Sequence, residues 1–166
     1  MLSGFLLVDA NVLIDYQMSD ISILSLVSQH IGPVHIVSSV LAEVEGLDES
    51  ACERLGLRVI EPSLEQAKEA HQLKGRLSFQ DSLCLVVCRD HTWICVTNDK
   101  ALRRSCVEAS VSLLWGLELM LELLKSGHLS VAVALDVAEQ IHKANPVFLN
   151  QKVLEAFKDK ARGLSP

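Results

Sequence analysis

The chain has 166 residues and a mass of 18.2 kDa, enough for a single domain that buries about two thirds of its unfolded surface without disulfides or a structural metal. A net charge of -6 and a pI near 5.5 exclude a protein that holds nucleic acid by bulk positive charge, although a divalent metal can invert the local field of an acidic site. Hydrophobic residues make up 49% and the mean hydropathy is +0.30. Charges nevertheless interrupt every apolar stretch before about 18 residues, and the N-terminus carries no basic region or cleavage site, so a cytoplasmic protein without a membrane span is expected.

The first apolar run, Phe5 to Val8, reads as a short buried strand. Asp9 follows it directly and stands where it can cap the helix that begins at about Asn11. A second helix is predicted from Asp20 to His30, with Ile21, Leu24, Val27 and Ile31 on one face, ended by Gly32-Pro33. Val34 to Val37 is the second strand. Ser38 or Ser39 is expected to cap a short helix through Glu43, closed by Gly46 and followed by a polar loop.

Leu57 to Ile60 is the third strand, and Ser63 caps a helix to about Leu73. Ser78 and Asp81 have capping-box spacing at the start of the next helix, on which Leu83, Val86 and Val87 are apolar. Trp93 to Val96 is the fourth strand, Thr97-Asn98-Asp99 leads into a helix carrying Leu102 and Cys106, and a fifth strand is predicted within Ser110 to Leu114. This βα alternation implies a mostly parallel sheet covered by helices on both faces.

From Trp115 onward the pattern is helical alone. Leu117 to Leu124 is apolar almost all round, which suits burial against the chain's own core or a homodimer surface. Two more helices are predicted over Ser130 to Lys143 and Asn150 to Arg162. The five cysteines, Cys52, Cys84, Cys88, Cys95 and Cys106, have neither C-x-x-C nor zinc-finger spacing and read as small core hydrophobes.

Four carboxylates occupy related places. Asp9 and Asp99 follow strands one and four, Glu43 lies a turn past strand two, and Asp81 is in the first turn of its helix. In an open parallel sheet the loops after the strand carboxyl ends emerge on one edge, where ligands bind. Each acid alone has a plainer role as a helix-capping or solvated residue. Held within about 4 Å of one another, however, carboxylates repel by about 4 kcal/mol per pair at an effective dielectric near 20 and require a counter-charge. Oxygen donors without His or Cys select Mg²⁺ or Mn²⁺ rather than zinc.

The segments LVDANVLID (7–15), SSVLAEVEG (38–46), LSFQDSLCLVVCRD (77–90) and VTNDKALR (96–103), in that order, resemble a PIN domain, the metal-dependent nuclease fold that includes the VapC-like toxins. The resemblance covers residues 4–114, with 115–166 as a helical extension of one domain. It implies a three-layer α/β/α sandwich in which Asp9, Glu43, Asp81 and Asp99 are the catalytic, metal-holding acids. Asn11, Thr97 and Asn98 take supporting positions. It further implies homodimers, RNA cleavage to a 5′-phosphate and a 3′-hydroxyl, and an antitoxin covering the acidic rim. The chain departs from the pattern after Asp99, where Lys100-Ala101-Leu102 replaces a further acid and an aromatic residue.

The expectation is therefore an endoribonuclease using Mg²⁺ or Mn²⁺, the toxin of a type II toxin-antitoxin pair. The alternatives are a non-catalytic PIN-like partner- or RNA-binding module, and an RNA-processing PIN nuclease without an antitoxin. A phosphoacceptor signalling domain ranks last, because it requires paired acids after the first strand. Lys74, Arg76, Lys100, Arg103 and Arg104 are candidate phosphate contacts, or simply a solvated helix surface. An aromatic content of 4% argues against a broad stacking platform for bases.

Overall fold

A computed structural model describes residues 2–73 and 75–164. The chain is an α/β protein, a three-layer α/β/α sandwich around a five-stranded, all-parallel sheet of order β3-β2-β1-β4-β5. The strands are short. β1 spans Leu6–Val8, β2 Val34–Val37, β3 Arg58–Ile60, β4 Ile94–Val96 and β5 Leu113–Leu114. Leu6, Leu7, Val8, Ile36, Val37, Cys95 and Val96 are completely buried, as continuous apolar strands must be when helices cover both faces.

On one face α1 (Ala10–Met18) and α2 (Ser22–His30) connect β1 to β2. On the other, α5 (Leu64–Gln72) and α6 (Phe79–His91) carry the chain from β3 back past β1 to β4, and α7 (Lys100–Glu108) continues to β5. The strand order therefore reverses between β1 and β4. That position, outside the strand carboxyl ends, is the topological switch point of an open α/β sheet.

Capping explains most helix starts. Asp9, Ser63, Ser78 and Asp99 each accept a hydrogen bond from a backbone N–H three residues on, and Ser63 with Gln66 completes a reciprocal box. The segment after β2 differs from expectation. Helix α3 (Ser38–Leu41) ends before Glu43, which lies in the following turn, and it has no side-chain cap. The Ser38 and Ser39 hydroxyls instead donate to Glu61 Oε2 (2.5 Å) and Gln80 Oε1 (2.6 Å). The stretch expected to be a polar loop contains α4 (Glu49–Arg54), capped by Asp48 and anchored by the buried Cys52.

The C-terminal segment shares the core. In α8 (Glu118–Lys125), Leu119, Met120 and Leu123 are completely buried, and the helix packs on α2. Of the two expectations for Leu117 to Leu124, burial against the chain's own core is the one observed: its apolar side chains face the interior. Helix α9 (Val131–Ala144) packs on α1, and α10 (Gln151–Gly163) on α9 and α8. One buried cluster runs from Leu6 to Ala161 and includes all five cysteines, which are unpaired. Among the described residues no helix is long and apolar enough to cross a membrane.

Candidate active site

Asp9 lies at the switch point. Its backbone N–H donates to the Val96 carbonyl across the β1–β4 pair, which fixes the residue at the strand end. Its Oδ1 accepts from the Val12 N–H at 2.9 Å, and its Oδ2 accepts a short hydrogen bond from the Thr97 hydroxyl. Thr97 Oγ1 in turn accepts from the Asp99 N–H at 3.0 Å, so one completely buried hydroxyl ties the β1 acid to the β4 acid. Asp99 caps α7 through Oδ1, which receives the Leu102 N–H at 2.8 Å.

The other two acids join through α6 and the turn after α3. Burial pushes the Asp9 carboxyl up to about 7; the negative charges of Asp81 and Asp99 add to it, while the bonds from Thr97 and Val12 oppose it. Burial likewise raises Asp81, with Asp99 and Glu43 adding their repulsion and the Ser78 side chain acting against it. All four predicted acids are therefore linked electrostatically. Because α6 precedes β4, it begins at the carboxyl edge of the sheet, and Asp81 in its first turn is delivered to the rim. The Ser39–Gln80 hydrogen bond joins the Glu43-bearing segment to that same turn.

The completely buried Cys84, one turn past Asp81, feels the charge of both Asp9 and Asp81 and forms part of the floor. Its thiol is pushed well above the ordinary range by burial, so it behaves as an apolar neighbour. Around the acids, Asn98 Oδ1 accepts from the Gly116 N–H (2.9 Å) and the Tyr16 hydroxyl donates to the Gly116 carbonyl (2.7 Å). A Cβ at Gly116 would meet Asn98 Nδ2 at 3.1 Å and Val12 Cγ2 at 3.2 Å, tighter than an ordinary contact, so those side chains would have to shift by a few tenths of an ångström.

Thr97 thus bonds to Asp9 and Asp99 and Asn98 to Gly116, whereas Asn11 is exposed on the first turn of α1. Tyr16, Gln80, Cys84 and Gly116 carried no signal in the sequence. Tyr16 and Gly116 meet across 100 positions, a separation that no local spacing reveals.

The predicted cations diverge. Lys100 is exposed beside Asp99, and Lys74 lies outside the described residues. Arg76 lines a separate cleft with Arg89, Ser105 and Glu108, in which none of the four acids takes part. Arg103 is partly buried: Nη1 donates to the Thr97 and Leu114 carbonyls at 2.9 and 3.0 Å, and its guanidinium stacks 3.5 Å over the Trp115 ring. It braces the loop after β4.

Among the described residues no three His, Cys, Asp or Glu side chains are gathered tightly enough to enclose an ion. The acids form a looser cluster. Its donors are carboxylate oxygens, the type that hard divalent cations take, and burial and mutual repulsion disfavour the charged forms of Asp9 and Asp81. In comparison with known proteins, the chain matches no family model and no curated protein.

Proposed function

We propose that the chain is a PIN-like endoribonuclease of the cytoplasm that hydrolyses RNA phosphodiesters with Mg²⁺ or Mn²⁺, acting as the toxin of a type II toxin-antitoxin pair. One observation carries the nuclease reading: the acids at the ends of β1 and β4, which flank the switch point of a parallel sheet, share the Thr97 hydroxyl, with Asp81 within reach of their charge and Glu43 within reach of Asp81. The toxin role, with an antitoxin over the rim, rests on the resemblance of the four motifs.

The residues that would hold the ion are Asp9, Glu43, Asp81 and Asp99. When bound, such an ion supplies neutralisation of phosphate charge and a more acidic water. Thr97 keeps the Asp9 carboxylate in one orientation by donating to Oδ2 and aligns Asp99 by accepting its N–H. Asp9, raised to about 7, holds a proton below neutrality and would have to release it to hold an ion, so the activity is expected to rise with pH through this range.

The looseness of the cluster favours one second reading, a non-catalytic partner- or RNA-binding module. Purified protein incubated with a mixed single-stranded RNA and a tRNA in Mn²⁺ or Mg²⁺, beside EDTA, Asp9→Asn and Asp81→Asn controls, separates the two. Cleavage that requires the metal and both acids supports the nuclease. RNA left intact, with no heat of metal binding in calorimetry, supports the module and refutes the nuclease.

A further inference from the structure

A cavity of about 230 Å³ that the chemistry above does not use is lined among others by Asn98, Trp115, Glu118, Phe148, Val153 and Lys160. Asn98, the chain neighbour of Thr97 and Asp99, is its link to the acidic cluster; none of the four acids lines it. Trp115 and Phe148 are 41% and 48% exposed although large and aromatic. The Trp115 indole is held in place by the Arg103 guanidinium, itself anchored to the Thr97 and Leu114 carbonyls. Asn98 is oriented by the Gly116 N–H at its Oδ1, which leaves its NH₂ as a donor.

Resting on the nuclease reading, we infer that this cavity receives one unpaired base of the RNA strand beside the scissile phosphate, guanine in preference, and so selects where the strand is cut. The size suits one ring system, being smaller than the roughly 300–1,000 Å³ of sites that enclose drug-sized ligands. Unstacked bases are held by aromatic faces and read along their edges, and a single pocket needs no broad aromatic platform. The polar groups select the base. Guanine presents two adjacent donors, N1–H and N2–H, to the Glu118 carboxylate and an O6 acceptor to the Asn98 NH₂. Adenine, cytosine and uracil offer a carboxylate no such adjacent pair. Lys160 supplies a positive charge for the flanking phosphate.

The test reads binding separately from cleavage. The full chain in EDTA is titrated with 5′-GMP, 5′-AMP, 5′-CMP and 5′-UMP while tryptophan emission is followed, and Trp115→Phe gives the background from Trp93. Quenching by GMP at a Kd about tenfold below that of the other three is expected, with Phe148→Ala weakening GMP about tenfold. Glu118→Gln should remove most of the guanine preference while leaving the melting temperature in place. In Mn²⁺, RNAs carrying a single G should be cut beside it by the wild type and without that preference by Glu118→Gln.

Equal affinity for all four nucleotides, no quenching by any, or cleavage positions unchanged in Glu118→Gln and Phe148→Ala would overturn the inference. Concentration-dependent self-association abolished by Phe148→Ala would overturn it too, making this face a contact between copies. Guanine binding with the expected variant pattern but no cleavage of any RNA would sink the nuclease reading and leave the base site standing.

Discussion

Replacing Asp9 by Asn should stabilise the metal-free protein while removing its activity. The carboxyl is 1% exposed and its pKa moves from an ordinary 3.8 to about 7 on folding. At about 1.4 kcal/mol per pH unit this interval corresponds to about 4 kcal/mol of stability present below pH 4 and lost as pH rises through 7. The sign follows from the direction of the shift: the folded state holds the proton more tightly than the unfolded one, so deprotonation penalises the folded state. The neutral amide of the Asp9→Asn variant carries no such penalty and still offers Oδ1 to the Val12 N–H. Thr97 must then accept from the new amide instead of donating, at a cost of about 1 kcal/mol. A net gain of about 3 kcal/mol at pH 8, or roughly 6–12 °C in Tm for a domain of this size, is therefore expected, with no gain at pH 4. Urea and thermal unfolding of both proteins in EDTA across pH 4 to 8 measure it. Asp9→Asn no more stable than wild type at pH 8, or a difference independent of pH, would refute the burial argument.

Asp15 offers an internal comparison outside the acidic cluster, because burial pushes it up to about 6 against a hydrogen bond from Asn145 Nδ2 at 3.1 Å. Asp15→Asn keeps that bond and should add about 3 kcal/mol at pH 8 and nothing below pH 4, the gain building between the two pKa values and levelling off above about 6, by the same unfolding series. Thr97→Val removes the hydroxyl between Asp9 and Asp99 and should cost about 2 kcal/mol at pH 8 together with RNA cleavage, whereas Thr97→Ser retains both; urea unfolding and the cleavage assay decide it. Gly116→Ala places a Cβ 3.1 Å from Asn98 Nδ2 and should cost about 1–3 kcal/mol, read as a lower Tm. An unchanged melt would mean that the loop yields without strain.

Local chemistry accounts for what was legible before the structure. Asp9, Ser63, Ser78 and Asp99 each cap a helix that begins at the next residue, because a cap and its N–H partner lie three positions apart and declare themselves in sequence. Continuous apolar runs such as Val34–Val37 identify strands covered on both faces. The α4 helix escaped because it buries one cysteine and shows no apolar period, and Ser38 and Ser39 misled because their hydroxyls found partners 23 and 41 positions away rather than the helix start.

The sequence by itself determined the βα alternation and most helix starts and singled out four acids as candidates, since these depend on residue type and short-range spacing. Only the tertiary structure decided that β4 returns to the far side of β1, bringing Thr97 against Asp9 and making Asp81 feel Asp99 and Glu43. Burial and repulsion there depend on through-space distance, which chain position does not encode. Tertiary packing likewise turned the apolar face of α8 inward and left Trp115 and Phe148 exposed at one cavity. The total area an apolar segment can bury follows from composition, but which neighbour covers it is set by the packing of helices far apart in the chain.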